Sequence, residues 1–174
     1  MRRVLRRSFF DRPTLIVAEE LIGKFLVRER DGVRSAHMLT EVEAYDGPKD
    51  RASHAFRGRT PRNSVMFGPA GALYVHFTYG MHHMLNVTTG PEDYPAAVLI
   101  RGVESIVGPG RLTKALGITR ELDRLPATKA SGLWFEDRGV VLAPRAIQRT
   151  GRIGIAYAGP LWSKRRYRFV RKQE

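Results

Sequence analysis

Lys24–Tyr45 reads KFLVRERDGVRSAHMLTEVEAY, and this stretch sets the class of the fold. Asp31-Gly32 is a two-residue turn signal that tolerates positive φ at both positions. On either side lie segments rich in branched and apolar residues, so Lys24–Arg30 and Val33–Tyr45 are expected to pair as antiparallel strands. A second hairpin is expected from Ala72–Phe77 and His83–Thr89, with Tyr79-Gly80 in its turn. Ala96–Val103 is a largely apolar strand, and later strands are expected at Gly132–Phe135, Gly139–Leu142, Arg152–Ala156 and Arg166–Val170. Helical spacing covers Pro13–Ile22, with Asp11 placed to cap it and Gly23 to stop it, and Pro109–Leu116, stopped by Gly117. Gly47–Arg62 is a polar loop. Strands dominate, hairpins link them, and no βαβ rhythm appears. The reading is α+β: one domain over residues 1–174 with a curved, mostly antiparallel sheet and peripheral helices.

Charge narrows the function. The 174 residues hold 30 Lys and Arg against 17 Asp and Glu, a formal net charge of +13 that attracts a polyanion. Nucleic acid is the first expectation; a structural protein of a ribonucleoprotein, an anionic-membrane binder or simple solubility are the others. Basic clusters at the two ends (Arg2, Arg3, Arg6, Arg7; Lys164, Arg165, Arg166, Arg168, Arg171, Lys172) are either solvated faces or contacts. The absence of cysteine excludes disulfides, thiolate nucleophiles, iron–sulfur clusters and cysteine zinc sites. The opening MRRVLRRSFF lacks the apolar core of a signal peptide, and no run reaches the length of a membrane span. A soluble cytoplasmic or nucleoid protein, without membrane contact, is therefore expected.

Chemistry concentrates in three places. On a strand, Glu41, Glu43 and Tyr45 share one face, either as a base beside a stacking ring or as a solvent-facing row opposite Val42 and Ala44. Asp50, His54, Thr60, Arg62 and Asn63 lie in the polar loop. Tyr74, His76 and Thr78 share a face of the second hairpin, and Tyr79 and Met81 sit at its tip, where large side chains have no core to enter. Such a Tyr is either an incidental turn residue or a wedge for base stacking. The five histidines show no paired ligand spacing, so neither metal nor cofactor is expected.

These residues fall within a series of stretches that resembles the alkyladenine DNA glycosylase family, also called mammalian-type 3-methyladenine DNA glycosylases. The stretches are AEELIGKFLVR (18–28), TEVEAYDGPKDRASHA (40–55), TPRNSVMFGPAGALYVHFTYGMHHMLNV (60–87), AAVLIRGVE (96–104) and GPGRLTKALGI (108–118). The resemblance implies a monomeric, barrel-like fold with a protruding hairpin that enters the minor groove of duplex DNA containing damaged purines. It implies Glu43 as the activator of water, and Tyr45, His54, Tyr74, His76 and Asn86 around the flipped base. It further implies Tyr79 and Met81 as the intercalating tip, and Arg101, Thr60 and Arg62 on the DNA backbone. No lysine falls on a matched catalytic position, so hydrolysis without strand cleavage is expected; the alternative is a non-catalytic binding module on the same fold. His76 stands where relatives carry Tyr, and an unperturbed imidazole would change charge near pH 6.5. The connection from Glu104 to Gly108 is shorter than in those relatives.

Overall fold

The structure, a computed structural model, describes residues 2–172. In chain order come β1 (Arg3–Val4), α1 (Arg7–Phe10), α2 (Thr14–Leu21), β2 (Phe25–Arg30), β3 (Val33–Asp46), β4 (Leu73–Thr78) and β5 (His82–Thr88). They are followed by β6 (Ala96–Val103), β7 (Ile106–Val107), α3 (Pro109–Ala115), β8 (Leu133–Asp137), β9 (Ile147–Thr150), α4 (Gly159–Ser163) and β10 (Arg168–Arg171). Every strand pairing is antiparallel, in the order β1-β8-β2-β3-β6-β5-β4, with β10 on β3 and β9, and β7 on β6. The α+β class, the large antiparallel sheet and the single small domain hold, and the sheet is not closed.

Both hairpin turns follow from their residues. Asp31 and Gly32 adopt φ of 52° and 76°, and Tyr79 and Gly80 adopt 52° and 66°. These left-handed pairs match the twist of the strands they join. Side-chain alternation then sorts β3: Val42 and Ala44 enter the main core with Leu39, Val98, Ile100, Leu85 and Phe169, and α2 packs onto it through Val17, Ala18 and Leu21. Glu41, Glu43 and Tyr45 are left on the opposite face, where the candidate site forms.

Two expected strands are absent. Gly139–Leu142 forms no ladder because β8 already has β1 on one edge and β2 on the other. Val140 and Leu142 instead lie over Gly23, whose missing side chain leaves them room, while Val141 is exposed. Arg152–Ala156 is also irregular, held by the side chain of Arg152 rather than by a ladder. Ile147–Thr150, which carries no strong strand signal, forms β9 because β10 offers it a free edge. No helix among the described residues is long and apolar enough to cross a membrane.

Candidate active site

The site is built where β3 bends. Its register with β6 runs Leu39↔Val103, Glu41↔Gly102, Val42↔Ile100, so Thr40 and Arg101 are extra residues at adjacent irregularities. Such bulges bend a strand and re-aim its side chains. Arg101 is thereby turned onto the carboxylate face: its Nε donates to Glu41 Oε1 at 2.7 Å and lies 3.5 Å from Glu43 Oε1. On the other side of β3, Arg168 also donates Nε to Glu41 Oε1 at 2.7 Å.

Glu43 is fully enclosed, with a side-chain exposure of 0%. Its Oε1 accepts the Ile153 N–H at 2.8 Å and its Oε2 accepts the Tyr45 hydroxyl at 3.0 Å. Desolvation pushes its pKa above the ordinary carboxylate value, and Arg101, the Ile153 N–H, Tyr45 and Arg152 offset this only in part. Burial, followed by the charge of Glu43, pushes the Tyr45 phenol far up, so it stays protonated and donates. The result is a carboxylate more basic than usual, which is what a group taking a proton near neutral pH requires.

Beside it lies a cleft with about 390 Å³ of empty space including its open mouth. Tyr45, His54, Tyr74, His76, Asn86 and Tyr157 line it, joined by Met66 and Leu99. Glu43 is not itself on the wall; Tyr45 connects the two. His54 stands at the mouth with Nδ1 3.0 Å from the Tyr74 hydroxyl, and the His54 and His76 rings meet edge to face at 4.6 Å. Asn86 lies at the bottom and donates Nδ2 to Tyr74 O at 3.1 Å, with His76 Nδ1 at 3.4 Å. Thr60 and Asn63 bond each other reciprocally, and Asn63 Nδ2 donates to His54 O, which braces the loop carrying His54. Arg62 is exposed and donates to Phe77 O.

His76 corrects the expectation of a charge change near pH 6.5. Burial first, then His54 and Arg62, push its pKa down to about 3, so the imidazole is neutral over the working range. His76→Tyr should therefore alter rates by the same factor at every pH between about 5.5 and 8; a factor that grows on acidification in single-turnover excision assays would contradict a neutral wall.

At the hairpin tip Tyr79 is 82% exposed and Met81 67%. A bulky residue in the left-handed region is rare, and where it persists it points to a functional use of the position. Arg101, expected on phosphate, has a side chain only 13% exposed and its Nε committed to Glu41, so its described contacts are internal.

Arg152, Ile153 and Tyr157 complete the site without a local signal in the sequence, and they are joined by Asp50 of the polar loop. Arg152 and Asp50 form a fully buried ion pair, with Nη2 to Oδ1 at 2.8 Å, and Arg152 lies 4.7 Å over the Tyr45 ring. That pair brings the Ile153 N–H onto Glu43. Tyr157 donates its hydroxyl to Ala52 O at 2.8 Å and walls the mouth of the cleft. Among the described residues, no group of three or more His, Cys, Asp or Glu is placed to hold a metal.

A family model described as methylpurine-DNA glycosylase matches residues 8–107 and 104–174. A protein of Anaeromyxobacter dehalogenans is 47% identical over 174 residues, covering 95% of this chain and 82% of the relative. One of Myxococcus xanthus is 44% identical over 173 residues (94% and 88%), and one of Methanocella arvoryzae 43% over 176 (90% and 86%). All three carry the name 3-methyladenine DNA glycosylase.

Proposed function

The chain belongs to the methylpurine-DNA glycosylase family, a family of DNA repair hydrolases, and from that premise we propose that it excises alkylated and deaminated purines from duplex DNA. The substrates are of the 3-methyladenine, 7-methylguanine, hypoxanthine and ethenoadenine type. The observation that carries this reading is Glu43: a buried carboxylate of raised pKa, joined through Tyr45 to an aromatic cleft.

A base inside the duplex is out of reach of water, so the nucleotide turns out of the stack and the purine enters the cleft. Aromatic faces hold it, and a cationic purine gains from their quadrupoles. The bond between C1′ and the purine nitrogen breaks with its electrons leaving on the base, and positive charge develops on the sugar. Glu43 opposes that charge and takes a proton from the water that adds to C1′, which leaves an abasic site. No lysine lines the cleft, which supports hydrolysis without a Schiff base or strand cleavage. The protein acts as a monomer on this reading, with Tyr79 and Met81 filling the gap and Arg62, Thr60 and the outer nitrogens of Arg101 toward phosphate.

The decisive experiment is single-turnover excision from duplexes carrying each lesion, with alkali to reveal abasic sites and borohydride to trap any Schiff base. Abasic product without a trapped adduct is expected. Lesion binding with no abasic product would make the chain a binding module.

The wedge has its own test. Asn-Gly suits a left-handed turn better than Tyr-Gly, so Tyr79→Asn should leave the melting temperature unchanged or raise it. It should nevertheless slow excision from duplex, while a single-stranded lesion is processed as before. Equal losses on both substrates would assign Tyr79 to the pocket instead.

A further inference from the structure

The charges around Glu43 are arranged in a chain from a half-buried arginine inward: Arg168, Glu41, Arg101, Glu43. Glu41 Oε1 takes both guanidinium Nε groups at 2.7 Å, whereas Arg101 Nε stops 3.5 Å from Glu43 Oε1. Charge-assisted N–H···O bonds run about 2.7–2.9 Å, so Arg101 is bonded to Glu41 and only adjacent to Glu43. The backbone enforces this bias. Arg101 is the extra residue of a bulge, and Gly102 stands opposite Glu41, where an added Cβ would come within 3.3 Å of Glu41 Cβ.

Two consequences follow for Glu43. Each carboxylate oxygen has about two acceptor sites. Ile153 N–H occupies one on Oε1 and the Tyr45 hydroxyl one on Oε2. A guanidinium bonded directly to Oε1 would fill its second site, and an opposite charge in contact weakens a carboxylate as a base. Arg101 in its observed place does neither in full.

We propose that Glu41 is a positioning residue for the reaction: by holding Arg101 on itself, it keeps the guanidinium from closing onto Glu43 and leaves an acceptor site of Glu43 Oε1 for the attacking water. This rests on Glu43 as the base. Arg168 is the counterweight. It neutralises Glu41 from β10, with Nη1 also donating to Thr150 Oγ1 at 3.3 Å, so that two carboxylates on one face do not repel each other. The remaining charge facing Glu43 is Arg152, already bonded to Asp50, and the neighbouring phenol is Tyr45. With Arg101, Arg152 and Arg168 against Glu41, Glu43 and Asp50, the group is neutral when all are ionised.

The test replaces the hold without removing the base. In Glu41→Gln the neutral amide competes poorly for Arg101, which redistributes onto Glu43. Titration of the Glu43 side-chain carboxyl by 13C NMR on the whole chain should then show its midpoint lowered by about one unit or more. In Glu41→Asp the carboxylate stands one methylene back and the hold loosens, so the midpoint should lie between those of the parent and Glu41→Gln. Arg168→Gln removes a half-buried charge of the same network while leaving Glu41 on Arg101, and should leave the midpoint unmoved or raised. Single-turnover excision by Glu41→Gln should fall roughly tenfold at neutral pH with lesion affinity retained, a part of the ~10²–10⁴ a general base supplies. A Glu43 midpoint in Glu41→Gln at or above the parent's overturns the proposal, and should that variant not fold, Glu41→Asp decides by the same criterion. Because the titration does not depend on turnover, a parent that excises nothing would overturn the glycosylase reading and leave the result for Glu41 readable.

Discussion

Glu43→Gln is expected to keep the fold and the affinity for lesion duplex and to lose about 10²–10⁴-fold in excision rate, because an amide cannot accept the proton of water. The substitution is nearly isosteric, and the amide can reproduce the observed bonds. Its oxygen accepts the Ile153 N–H, and its NH2 donates to the Tyr45 hydroxyl. The two arginines nearby are not orphaned, since Arg101 keeps Glu41 and Arg152 keeps Asp50. Stability should show a characteristic pH dependence. The folded pKa of Glu43 is raised, so the carboxyl favours the folded state most below its unfolded value of about 4.3 and loses that contribution as pH rises through the folded value. The variant should therefore melt near the parent at about pH 4 and above it at about pH 7.5. Thermal melts at the two pH values, beside single-turnover rates, check both halves. Excision within tenfold of the parent, or a melting temperature that falls only at the higher pH, would make Glu43 a structural anion instead of a base.

What could be read from the sequence divides along the range of the interactions. The two hairpins, α2 and α3 are local: turn residues, glycines and apolar spacing specify them within a few positions, and the structure agrees to one or two residues. The shared face of Glu41, Glu43 and Tyr45 follows from strand alternation alone. Its burial does not, because it depends on β10 and the 151–155 segment closing over the face from the far end of the chain. The Arg152–Asp50 pair joins residues 102 positions apart, and no local pattern announces it. The reading of Arg152–Ala156 as a strand failed for the same reason: an apolar and polar alternation anchored by one ion pair resembles one anchored by a ladder. His76 shows the limit for titration. Its residue type sets a pKa near 6.5, and only the cleft, with His54 and Arg62 beside it, moves it to about 3. Arg101 shows the limit for roles. The resemblance places it on phosphate, while a bulge commits its Nε to Glu41.

The largest loss of stability is expected from Asp50→Asn. Both partners of the pair have side-chain exposures of 0%, and Arg152 spends Nη1 on Asp50 Oδ2 and Ala44 O and Nη2 on Asp50 Oδ1. Arg152 Nε has no hydrogen-bond partner among the described residues, so the carboxylate is the main compensation for a buried cation lying between the Tyr45 and Tyr167 rings. Asp50 also accepts the backbone N–H groups of Asp46 and Ala52, which shape the start of the cleft loop. Asparagine keeps one acceptor for these and removes the charge. Breaking a buried pair on one side leaves the other charge uncompensated, at about 3–5 kcal/mol. For a domain of this size each kcal/mol lowers the melting temperature by about 2–4 °C, so a fall of roughly 6–20 °C is expected. The effect should also reach the chemistry. Arg152 ties residues 151–155 to β3, and the next residue, Ile153, gives its N–H to Glu43. Once Arg152 is released, that donor is no longer held in place. Single-turnover excision measured well below the variant's own melting temperature should therefore fall by more than the unfolded fraction explains. A melting temperature within about 2 °C of the parent would mean that the arginine finds other compensation and that the pair does not fasten the segment over Glu43.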